Sequence, residues 1–139
     1  MASFNELLKK YVNKDYDELR TLANEACDRI LAISARVLPQ VEPFKIIIYL
    51  AHAAIAVDGK LFEKEKKMLA DVLGFDESDS KDLFDIDVTD AITVSESFAS
   101  MLNSSECATV VLFVAAIAAC DETIEPIESN FLIKLLSAE

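Results

Sequence analysis

The sequence predicts an all-α fold: a single-domain bundle of about seven to eight helices in which one helix-turn-helix unit occurs twice. Three observations predict it. The 139 residues include only 2 Gly and 3 Pro against 53% hydrophobic residues, a composition that favours helices joined by short connections over a turn-rich sheet. Apolar residues recur at helical spacing, and no stretch alternates strongly between apolar and polar. A segment near the middle lies over a segment near the end without a gap. At this length one core is expected, so residues 1–139 are read as one domain.

Ser3 followed by Glu6 has the pattern of a capping box, and Phe4, Leu7, Leu8, Tyr11 and Val12 fall on one face of a first helix. Asp15 with Glu18 repeats the start signal. Leu19, Leu22, Ala23, Ala26, Ile30, Ile33 and Val37 then continue one stripe until Pro39 forbids regular helix, so the second helix is long. Pro43 suits a first helical position, and residues 44–57 are apolar except for Lys45 and His52, which predicts a third helix buried on most sides.

After the Asp58-Gly59 turn, a charged amphipathic helix is predicted over about 62–73, with Gly74 as its C-terminal cap. Residues 76–90 hold seven acids and read as solvated loops around a short helix whose apolar contacts are Leu83 and Phe84. A helix over about 91–102 follows, and Ser104 and Ser105 offer caps for an apolar helix ending at Cys120. Pro126 opens a last helix carrying Phe131, Leu132, Leu135 and Leu136.

The repeat has a constant offset of 63 residues, laying 48–73 over 111–136. Ala53 falls on Ala116, Ala56 on Ala119, Asp58 on Asp121, Glu65 on Glu128, Leu69 on Leu132 and Leu73 on Leu136. The units, about 44–73 and 107–136, are each a buried helix, an Asp at its end, a short approach and a helix with Glu in its first turn. Neither unit buries its apolar helix alone, so the economical packing makes the two apolar helices central neighbours, with small alanines allowing close approach. Asp58, Glu65, Asp121 and Glu128 then come from equivalent places and are expected to face one cleft.

The segments AHAAIAVDGKLFEKEKKMLADVLGF and AAIAACDETIEPIESNFLIKLL resemble the TerB-like (tellurite-resistance protein B-like) family, whose hallmark is an Ala-rich helix ending in Asp-Gly before a Glu-bearing helix. The resemblance covers residues 44–137 in layout. It implies an all-helical fold and an acidic, divalent-cation-binding surface, carried here onto Asp58, Glu65, Asp121 and Glu128 as metal ligands. The second unit departs from the pattern, with Glu122 where Gly59 stands in the first.

Two readings of these acids stand side by side. In one, the four carboxylates coordinate Ca²⁺ or Mg²⁺, hard ions that take oxygen ligands. In the other, Glu65 and Glu128 reach back to backbone N–H groups at their helix starts while Asp58 and Asp121 stabilise turns. Asp85, Asp87 and Asp90 lack the central Gly and distal Glu of an EF-hand loop and are read as caps and solvated charge. His52, the chain's single histidine, is expected to be a hydrogen-bonded core residue.

The chemistry of the remaining residues points away from catalysis. No Glu-x-x-His pair, phosphate loop, nucleophile elbow, zinc motif or Cys-His pair occurs, and an enzyme is not expected. The formal net charge of −12 is uneven: residues 82–139 contain 11 acids and a single base, Lys134. That half repels phosphate backbones and anionic membranes, so the expected partner is a cation or a basic protein surface, not nucleic acid. Cys27, Cys107 and Cys120 lie in apolar helical patterns without a CxxC pair, as suits reduced thiols of a cytoplasmic protein. The start MASFNELLKK has early charges and no apolar signal core, and the longest apolar run, 107–120, is too short for a membrane span of about 20 residues. The expectation is therefore an acidic, divalent-cation-binding helical module that serves metal- or stress-linked responses through binding to other proteins; the alternative is a non-catalytic protein-interaction scaffold in which the acids are structural.

Overall fold

A computed structural model of the chain describes residues 4–55, 63–74 and 86–120, and these form six α-helices with no strand. They are α1 (Phe4–Val12), α2 (Tyr16–Val37), α3 (Pro43–Ile55), α4 (Glu63–Leu73), α5 (Val88–Ala99) and α6 (Ser104–Ala119). The cap expected at Ser3, the short helix expected around Leu83 and Phe84, and the last helix expected from Pro126 lie outside the described residues. The buried helix of each expected repeat unit is present, as α3 and α6, whereas the second unit's partner helix also falls outside.

Local chemistry accounts for the helix ends. Asp15 caps α2, its carboxylate accepting the Glu18 N–H at 2.8 Å, and the helix stops at Val37 before Pro39. Gly74, at φ 80°, closes α4 in the left-handed region where a side chain would be strained. Two starts differ from expectation. α5 begins a turn earlier than residue 91, because Asp87 accepts from the N–H groups of both Thr89 and Asp90. α6 is capped by Asn103 instead of Ser104 or Ser105. Only from Asn103 does a Glu fall three residues on, so the Asn103 side chain takes the Glu106 N–H at 2.9 Å while Glu106 takes the Asn103 N–H at 3.0 Å.

The bundle is organised around α6. Eleven of its 16 residues are buried, and their positions run all round the helix, so it needs cover on every side. α1, α2, α3 and α4 supply that cover, α2 most extensively. At 22 residues α2 is about 33 Å long, enough to line the whole of α6. The two run antiparallel: Arg36 near the end of α2 donates to Glu106 at the start of α6, while Tyr16 and Leu19 lie beside Ala119 and Cys120 at the opposite end. α3 does touch α6, as the repeat implied, but packs more extensively against α5 and α2. The two apolar helices are neighbours without forming the principal pair, because the long stripe of α2 offers α6 more apolar surface.

One buried group is out of step with this apolar core. The Ser95 hydroxyl on α5 is buried and has no hydrogen-bond partner among the described residues. A buried hydroxyl without a partner keeps its desolvation cost, so Ser95→Ala is expected to raise stability by about 1 kcal/mol. A urea midpoint that rises for the variant is the expected result; one that falls would reveal a partner for the hydroxyl.

Candidate functional site

Of the four acids expected to form a metal centre, Glu65 lies within the described residues, while Asp58, Asp121 and Glu128 lie outside them. Glu65 is the third residue of α4, where its charge meets the positive helix end. It is only 3% exposed, unlike Glu63 in the same turn, which is exposed and pairs with Lys66 at 3.4 Å. Among the described residues, no three His, Cys, Asp or Glu side chains are grouped closely enough to hold a metal ion.

The end of α6 reaches the first turn of α4. Cys120 caps α6 and its thiol donates to the Lys64 carbonyl at 3.3 Å. In sequence, Cys120 is followed by Asp121 and Lys64 by Glu65. Residues 56 apart thus join the end of the buried helix of one expected repeat unit to the acid-bearing turn of the other.

Around this junction is a group of residues that helical periodicity did not single out. Tyr16 at the start of α2 donates its hydroxyl to Asp71 on α4, and the Lys67 ammonium lies 4.6 Å from the centre of the Tyr16 ring while approaching Asp71 at 3.3 Å. The Tyr16 bond, with the Lys67 charge, holds the Asp71 carboxyl below its usual range; burial, then Asp71, push the Tyr16 phenol up. The Lys67–Asp71 spacing is legible as a helical i,i+4 pair. Its connection to Tyr16 spans 55 residues and required the fold. Beside these side chains is a cavity of about 390 Å³, with Lys64 and Cys120 also in its wall.

His52 has the role its setting on an apolar helix suggested. It is 2% exposed, and its Nδ1–H donates to the Ile48 carbonyl at 2.9 Å, one turn earlier in α3. Burial is the largest influence on the ring and lowers its pKa, with the Lys66 charge adding to the effect and the Ile48 bond opposing it. The folded state therefore holds His52 neutral where an unfolded chain would begin to protonate it. Between the folded pKa and about 6.5, the unfolded state binds more protons, so stability falls as pH drops through that window. Urea midpoints measured at pH 7 and pH 5 should fall more in the parent than in His52→Leu; equal falls would assign the effect to other groups.

The three cysteines are buried thiols, none of them in a disulfide. Burial, with Asp28 nearby, pushes the Cys27 thiol up to about 12, which disfavours the nucleophilic thiolate. No helix among the described residues is long and apolar enough to cross a membrane. No protein-family model, curated protein or solved structure matches the chain.

Proposed function

We propose that the chain is a non-catalytic, TerB-like helical module of the cytoplasm that binds a hard divalent cation, Ca²⁺ or Mg²⁺, and acts through contact with another protein. Asp58, Glu65, Asp121 and Glu128 are its ligands in this reading. The observation that carries it is the 3.3 Å contact between Cys120 and the Lys64 carbonyl, which sets the residue before Asp121 against the residue before the buried Glu65. Acids from both units are thereby supported as members of one site, and clustered carboxylate oxygens are the ligands that a hard divalent cation takes. The carboxylate-only donor set suits Ca²⁺ or Mg²⁺ better than softer metals.

Thermal unfolding of chelator-treated protein with Ca²⁺, Mg²⁺, Mn²⁺ or Zn²⁺ added tests the reading. An ion at a hundred times its dissociation constant should stabilise the fold by about 2.7 kcal/mol. The gain should saturate, should favour one of the hard ions, and should vanish when Asp58→Asn and Asp121→Asn are combined. No gain with any ion, and a double variant that melts with the parent, would reject metal binding and leave the acids as helix-start and turn residues of an interaction scaffold.

A further inference from the structure

The geometry points to a binding site for a small amphipathic organic anion in the 390 Å³ cavity where the α1–α2 turn meets the start of α4 and the end of α6. A volume of that size is within the range of about 300–1,000 Å³ typical of small-molecule pockets. Its wall has two chemical parts. Leu19, Ala119 and Cys120 are buried and offer apolar surface. Lys14, Lys64 and Lys67 bring three ammonium groups, in a chain whose formal net charge is −12.

Among the described residues, the carboxylates that meet these lysines are already engaged. Asp15 is in the wall, where its carboxylate accepts the Glu18 N–H as the α2 cap. Asp71 takes the Tyr16 hydroxyl and Lys67, which fixes the Tyr16 ring as a firm part of the wall. Glu18 meets Lys14 at 3.7 Å, a long and substantially exposed contact that solvent screens and that holds Lys14 weakly. Lys64 forms no ion pair among the described residues. The three lysines line the cavity together with the last residues of α6, a helix whose last turn has no basic residue of its own. The ligand this combination suits has an apolar body for the inner wall and one carboxylate or phosphate head held by Lys64 with help from Lys14.

Octanoate, octyl phosphate, 1-octanol and inorganic phosphate are suitable probes, titrated into the ¹⁵N-labelled full chain while backbone amide shifts are followed. Octanoate and octyl phosphate should shift the amides of Tyr16, Lys64 and Cys120 saturably, and the tighter of the two identifies the preferred head group. The alcohol and inorganic phosphate should each bind at least tenfold more weakly, and binding of the amphipathic anions should weaken as NaCl is raised. Lys64→Glu should raise their dissociation constants at least tenfold while the protein still melts cooperatively. If that variant does not fold, Lys14→Glu and the salt dependence of the parent carry the test. Absence of saturable shifts, equal binding of 1-octanol and octanoate, or salt-insensitive binding would overturn the proposal.

Discussion

Phe113→Ala should destabilise the protein by about 3–5 kcal/mol, the range for truncating a buried aromatic. Phe113 is fully buried near the middle of α6, the helix against which α1, α2, α3 and α4 all pack. Removing its ring leaves a void bounded by several helices, and the backbone of a helix packed against four others has little freedom to close it. A loss of this size is a large fraction of the 5–15 kcal/mol that holds a typical domain together. The chain has no tryptophan, so urea unfolding is best followed by circular dichroism at helical wavelengths. The transition should move to much lower urea and remain a single step, while Phe113→Leu, which keeps more of the apolar volume, should lose less. A midpoint near the parent's for Phe113→Ala would contradict the central place of α6.

Phe98→Ala should remove a similar 3–5 kcal/mol, but distributed differently over the structure. Phe98 is fully buried on α5, and among the described helices α5 packs chiefly against α3. An element attached mainly through one neighbour can open without the rest, so part of the loss should appear as local opening. Native-state hydrogen exchange is the measurement. Amides of α5 should exchange much faster in the variant, with those in the centre of α6 protected relative to them. Equal acceleration in α5 and α6 would mean that α5 opens only with the whole bundle.

The helical fold was legible because its signals are local. Pro39 and Pro43 bracket the connection between α2 and α3, Asp15 starts α2, and Gly74 ends α4, each through backbone geometry or a side-chain bond within a few residues. The starts of α5 and α6 were displaced because several capping residues stand close together, and Asp87 and Asn103 each satisfy more of the helix-start bonding than their neighbours. The candidate site was legible only in part. Glu65 was singled out by its place in the repeat, but nothing in its local sequence distinguished it from the exposed Glu63 as the acid to be buried.

By itself, then, the sequence determined the all-helical class, the main helices among residues 4–55, 63–74 and 86–120, and the apolar character of α3 and α6, since periodicity, caps and breakers act through neighbours along the chain. The tertiary structure decided that α2 is the principal cover of α6, that Cys120 meets the first turn of α4, and that Tyr16 joins Lys67 and Asp71 beside a lysine-bearing cavity. Those relations bring together groups tens of residues apart. Hydrophobic burial is non-directional, so an apolar stripe requires cover without specifying its source; side-chain volume and helix length select the neighbour once the helices meet.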